Sequence, residues 1–235
     1  EDCSQDPLTG WHRDVFNDLL EKHLPCINPS KDGEVLVLLC GKSLDMIWLA
    51  KQGYKVVGLE LVQQAIETFS IENKLESSTI KVDKHIKYSS PPFTIFQGNI
   101  FDLESGMIQA DSWYDRAAMV ALPNSLREDY VKQIYNQTKP GAVGLLITLS
   151  YPEEQMEGPP FSLPDHLVMD YFSNGFEVET LISGLDSPRW PIVLPNGNIL
   201  ISGSKTEALP NMPEETIRLL TSMNIFGQSP NTVVE

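Results

Sequence analysis

Positive charge is scarce in this chain. Lys and Arg together number 17 against 32 Asp and Glu, which leaves a formal charge of −15 at pH 7. A surface of that sign repels a phosphate backbone or an anionic bilayer, so neither nucleic acid nor membrane is expected as a partner, and a small molecule remains. No apolar run approaches the 18 or more residues of a membrane span, and the first residues lack the charged-then-apolar pattern of a secretion signal, so a cytoplasmic location is expected. Cysteine is equally sparse: Cys3, Cys26 and Cys40 are odd in number and show no CxxC spacing. Neither a disulfide framework nor a zinc centre is expected from them, and no metal is called for.

A chain of 235 residues at 41% hydrophobic content is nonetheless long enough to bury a full core. Residues 34–60 set its organisation. Val35 to Leu39 are apolar without alternation, as in a central parallel strand covered on both faces. Cys40-Gly41 ends the strand, and Ser43 or Asp45 can cap a helix carrying Met46, Trp48, Leu49 and Ala50, which Gly53 stops. A second apolar strand, Lys55 to Leu59, ends at Glu60. That carboxylate lies 60 − 41 = 19 positions after the turn glycine, where a Rossmann-type fold places the acceptor for two ribose hydroxyls. The turn holds one glycine rather than the three of GxGxxG, so the close approach a pyrophosphate needs is missing. The pattern favours a nucleoside without phosphate, such as S-adenosylmethionine, over a dinucleotide, and weakens an oxidoreductase reading; a βαβ unit with a merely solvated Glu60 is the plain alternative.

The remaining chain alternates helix and strand, and the fold class expected is α/β: a Rossmann-like, seven-stranded, mostly parallel sheet with helices on both faces, in one domain over 1–235. Residues 11–24 carry Trp11, Val15, Phe16, Leu19, Leu20 and Leu24 at helical spacing, so 1–30 reads as an N-terminal helix lying on the domain. Helices are expected at 62–74, 125–137, 164–172 and 213–223. The stretch 79–97 reads as two strands around Ser89-Ser90-Pro91-Pro92, with His85 at the surface. Gly98 to Leu103 follow at a position where Asn99 or Asp102 can read an adenine edge and Ile100 can pack on its face. A strand over 111–119 carries Asp115 and Arg116 to the carboxyl edge of the sheet; Arg116 can fix a carboxylate or stabilise a thiolate, or else pair with Asp115 or Glu60. Asp115 can accept a proton. Strands are expected at 142–149, 176–181 and 198–203, the last in a hairpin around Asn196-Gly197. Between the central strands and this tail, Gly158-Pro159-Pro160-Phe161 forms a stiff pocket wall or an ordinary rigid connection.

Five blocks resemble the thiopurine S-methyltransferase family. These are Leu39 to Ser43 with Asp45-Met46 and Trp48 to Ala50, Val56 to Glu60, Gly98 to Leu103, Tyr114 to Ala118 through Ala121-Leu122-Pro123, and Gly158 to Phe161. They span about residues 11 to 182; 184–235 read as a divergent hairpin and tail. The resemblance implies a class I methyltransferase using S-adenosylmethionine, leaving S-adenosylhomocysteine and methylating a small aromatic or heterocyclic thiol; no long exposed apolar stripe demands a partner, so a monomer is expected. It implies a donor site of Leu39, Gly41, Glu60, Asn99, Ile100 and Arg116, catalysis by Arg116 and Asp115, and a substrate pocket of Trp11, Pro160 and Phe161. Methylation of halide, thiocyanate or a metalloid, and a non-catalytic donor-binding scaffold, are the competing expectations.

Overall fold

The computed structural model describes residues 15–27, 32–152, 154, 157–179, 181 and, for the backbone, 197–200. Trp11, the helix expected at 213–223 and most of the C-terminal tail lie outside them.

Among the described residues the chain forms five α-helices and one eight-stranded sheet. The helices are α1 (Asp18–Ile27), α2 (Leu44–Lys51), α3 (Gln63–Glu72), α4 (Asn124–Gln137) and α5 (Asp165–Phe172). The strands are β1 (Glu34–Leu38), β2 (Lys55–Glu60), β3 (Ser78–Val82), β4 (His85–Ser90), β5 (Phe93–Gln97), β6 (Ala110–Arg116), β7 (Thr138–Leu149) and β8 (Gly197–Leu200), in the order β3-β4-β5-β2-β1-β6-β7-β8. Five central strands run parallel, and β3, β4 and β8 pair antiparallel. The α/β class is as expected, with one strand more than seven. The stretch 78–97 makes three strands rather than two, because Asp83-Lys84 turns the chain inside it. Residues 176–179, expected as a strand, are not one.

Strand alternation sorts the core into two layers. Val35, Val37, Val56, Tyr114 and Leu145 face α1, α2 and α3, packing with Leu20, Met46, Leu49, Ile66 and Phe69. Leu36, Leu38, Val57, Trp113 and Leu146 face α4 and α5, packing with Tyr130, Ile134, Val168 and Phe172. The central strands are apolar in both registers because both faces are covered, which is why they show no alternation in sequence.

From β1 the chain goes to β2 on one side, while β6 returns on the other, so the loops leaving β1 and β6 diverge at their carboxyl ends. Open α/β sheets bind ligands in the crevice this produces.

Candidate functional site

The turn after β1 is shaped by local chemistry. Ser43 Oγ accepts from the Asp45 amide at 3.2 Å and caps α2, so Ser43 is the cap and Asp45 is released for another role. Gly41 has φ +51°, and a side chain there would meet nothing within 4 Å, so its backbone borders open space a ligand can enter. Leu39 (φ +45°) and Ala117 (φ +68°), at the ends of β1 and β6, also occupy the left-handed region, at about 1–3 kcal/mol each. Both line a cleft of about 130 Å³ with Gly41, Ser43, Asp45, Tyr114 and Arg116. Both residues directly follow neighbouring parallel strands whose ends border this crevice.

Glu60 binds the loops together. Its Oε2 accepts from the Gly41 amide and its Oε1 from the Val62 amide, both at 2.8 Å, while its carbonyl accepts from the Gly98 amide at 2.9 Å. Each carboxylate oxygen retains acceptor capacity beyond its one amide, which ribose hydroxyls require. The turn glycine and the strand-tip carboxylate, related only by a spacing of 19 in sequence, are in direct contact.

Arg116 lies across the crevice. Its Nε donates to Asp45 Oδ2 at 2.6 Å and its Nη2 to Ser43 Oγ at 3.2 Å. The ion pair is thus with Asp45, not with Asp115 or Glu60. Burial works against the guanidinium's charge, but Asp45 and Tyr114 outweigh it and hold its pKa above the ordinary value. Asp45 is 1% exposed and also accepts from Tyr114 Oη at 3.0 Å and, at Oδ1, from the Asn17 amide at 2.7 Å.

Asp115 points to the other face of the sheet, away from Arg116. Its carboxylate is fully buried, accepting from the Ala118 and Met119 amides at 3.2 Å and from Tyr130 Oη at 2.7 Å. Burial pushes its carboxyl up to about 6, against the hydrogen bonds that favour the anion. Strand alternation separates 115 from 114 and 116, and that signal was available in the sequence.

After β5, Asn99 Oδ1 accepts from the Phe101 amide at 3.1 Å and Ile100 is buried against the α4 layer; neither borders the cleft at Arg116. His85 is not at the surface. It is fully buried, its Nε2 lies 3.0 Å from the Asn99 carbonyl oxygen, and its ring fills the space where a side chain on Gly98 (φ +153°) would sit 2.4 Å away. Its charged neighbours Asp83, Lys84 and Lys87 concealed a contact made across 14 residues.

Pro160 is buried and Phe161 half-buried in a loop sewn to both β7 and the turn after β6. The Phe161 amide donates to the Val120 carbonyl at 2.6 Å, the Leu163 amide to the Leu149 carbonyl at 2.8 Å, and Tyr151 Oη to the Pro160 carbonyl. From behind, the fully buried Arg127 donates to the carbonyls of Leu122 at 3.0 Å and Ser162 at 3.3 Å. Cys40, beside the cleft, is a buried free thiol whose pKa burial raises well above its usual value, so it is no ready nucleophile. Among the described residues no group of three His, Cys, Asp or Glu side chains could hold a metal, and no helix is long and apolar enough to cross a membrane.

Glu60, the open face of Gly41 and the cationic end of β6 suit S-adenosylmethionine, whose ribose needs an acceptor and whose carboxylate needs a cation. Comparison with known proteins agrees. The family model for thiopurine S-methyltransferase matches residues 1–187. A thiopurine S-methyltransferase of Shewanella baltica (strain OS185) is 40% identical over 185 residues, 77% of this chain and 85% of that protein. One from Pseudomonas paraeruginosa is 39% identical over 176 residues, 74% and 81% of the two chains. Among solved structures, a SAM-dependent methyltransferase of Methanosarcina mazei matches 79% of this chain and 94% of its own at a TM-score of 0.56 and 15% identity. A TehB-like SAM-dependent methyltransferase of Corynebacterium glutamicum matches 80% and 86% at 0.54 and 14%. At such identities these two show the fold alone, whereas the family model and the relatives near 40% identity fix the descent: the chain belongs to the thiopurine S-methyltransferase family, whose members are S-adenosylmethionine-dependent methyltransferases.

Proposed function

We propose that this enzyme methylates the sulfur of a small aromatic or heterocyclic thiol, with Glu60 and Arg116 holding opposite ends of the donor. The observation that carries the reading is a cleft at the carboxyl edge of the sheet lined by Arg116 and by Gly41, whose amide donates to the Glu60 carboxylate at 2.8 Å. Glu60 accepts the ribose hydroxyls, and the backbone of Leu39 and Gly41 borders the donor. Asn99 and Ile100 contact the adenine. Bound S-adenosylmethionine supplies a methyl group already activated by its positive sulfur, so the protein's task is to hold nucleophile and methyl in line. Arg116 binds the donor's carboxylate and, as the one cation lining this cleft that is also tied to β6, favours the thiolate form of an acceptor brought against it. Asp115 serves catalysis indirectly, by holding the Ala118 and Met119 amides and so the turn that follows Arg116. The acceptor pocket is assigned to Pro160 and Phe161, whose apolar planar surfaces suit a ring, and to Trp11, which lies outside the described residues. A monomer acting in the cytoplasm on a small thiol completes the reading, and gel filtration checks the oligomeric state.

Calorimetric titration with S-adenosylmethionine, its demethylated product and a reduced nicotinamide dinucleotide is the test, followed by a panel of aromatic and aliphatic thiols with methyl transfer as readout. Saturable binding of donor and product with turnover of aromatic thiols is expected. Donor binding without turnover of any thiol would leave a scaffold and overturn the catalytic claim. Glu60→Ala is expected to weaken donor binding by about 1.5–3 kcal/mol through loss of hydrogen bonds to a charged acceptor; unchanged affinity would remove Glu60 from the site.

A further inference from the structure

We propose that Asp45 is a positioning residue that sets the direction of the Arg116 guanidinium for the donor's carboxylate, an inference that rests on the donor reading above. A guanidinium is planar and delocalised, with its N–H groups in a fixed fork. Once Nε is held there is no soft torsion left beyond it, so a grip on Nε constrains where the fork faces. Asp45 Oδ2 grips it at 2.6 Å. The grip is itself fixed from three elements: Tyr114 Oη on β6 donates to the same oxygen at 3.0 Å, the Asn17 amide before α1 donates to Oδ1 at 2.7 Å, and Ser43 Oγ, accepting Arg116 Nη2 at 3.2 Å, also caps the helix that carries Asp45. Asp45 is 99% shielded from solvent, so it does not swing away to be replaced by water. A carboxylate placed only to neutralise Arg116 would compete with the ligand's own carboxylate. One that holds the Nε edge constrains the guanidinium beside a cleft that Leu39, Gly41 and Ala117 also line.

The two roles give opposite results in one experiment. Affinities of wild type and Asp45→Asn are measured calorimetrically for S-adenosylmethionine and for decarboxylated S-adenosylmethionine, which keeps the adenosine, sulfonium and ammonium groups but lacks the carboxylate. Positioning predicts that Asp45→Asn binds S-adenosylmethionine about tenfold more weakly while its affinity for the decarboxylated compound changes less than twofold. Equal losses for both ligands would mark a merely structural residue, and tighter S-adenosylmethionine binding would mark a competitor; either overturns the proposal. An Arg116→Gln background guards against misfolding, because Asp45→Asn added there leaves neither charge buried alone. If Asp45 acts through Arg116, the added change moves S-adenosylmethionine affinity by less than twofold, and a further tenfold loss would refute it. Failure of the underlying reading is seen separately, as wild type that binds neither ligand or does not distinguish them.

Discussion

Two carboxylates are buried on opposite faces of the same sheet edge, and each accepts a hydrogen bond from one buried tyrosine. Asp45 takes Tyr114 Oη at 3.0 Å on the cleft face; Asp115 takes Tyr130 Oη at 2.7 Å on the rear face. Each also accepts backbone amides, one from Asn17 in the first case and those of Ala118 and Met119 in the second. The difference is a guanidinium. Asp45 has Arg116 at 2.6 Å and Asp115 has only neutral donors, so burial wins at Asp115 and raises its carboxyl to about 6. A guanidinium partner is present at the first and absent at the second, although both are equally hidden from water.

Removing the counter-ion should make the larger break. Arg116→Ala leaves Asp45 buried with neutral donors only, the situation of Asp115, and is expected to cost about 3–5 kcal/mol of stability near neutral pH in urea unfolding. A loss under about 1 kcal/mol would mean that the two sites do not differ in the way their partners indicate.

The rear site carries a pH dependence with a definite sign. The folded carboxyl of Asp115 titrates near 6 and the unfolded one near its ordinary 3.8, so the native state holds the proton more tightly. Its stabilising contribution is therefore complete below about 3.8, falls as pH rises through the interval, and is gone above 6, a span worth about 3 kcal/mol. Asp115→Asn removes that slope. The stability of wild type minus that of the variant should drop by about this amount between pH 4 and pH 7, and parallel profiles would show that another group titrates there.

Much of this arrangement was legible in residues 34–60, because there local pattern and tertiary role coincide. The uniformly apolar runs at 35–39 and 55–59 are apolar because both faces are covered, and the 19-residue spacing placed Glu60 against Gly41, as the 2.8 Å contact shows. The charged parts were legible only as residue types. Asp45 looks like a helix cap from its neighbours, and its partners Tyr114 and Arg116 stand 69 and 71 positions away, beyond any periodic signal. Asp115 and Arg116 adjoin in sequence and for that reason point to opposite faces, which a stricter use of the two-residue strand period would have told. His85 escaped because Asp83, Lys84 and Lys87 gave its hairpin a solvated composition, while its burial comes from Gly98, whose missing side chain makes room for the ring.

The finest comparison replaces the two tyrosines in turn. Tyr130→Phe takes from Asp115 one of three neutral donors, and that donor favours the anion, so the carboxyl should rise further above 6. The cost is then expected to depend on pH, about 2 kcal/mol at pH 7, where the buried anion is left short of a partner, and less than about 1 kcal/mol at pH 4, where the carboxyl is protonated in both proteins. Tyr114→Phe takes one donor from a carboxylate that keeps Arg116 and the Asn17 amide. It should cost about 1 kcal/mol at pH 7, less than Tyr130→Phe at that pH, because the guanidinium still compensates the carboxylate. Urea unfolding of both variants at pH 7, and of Tyr130→Phe also at pH 4, supplies the comparison. If Tyr114→Phe cost more than Tyr130→Phe at pH 7, the claim that Arg116 is what sets Asp45 apart would fall.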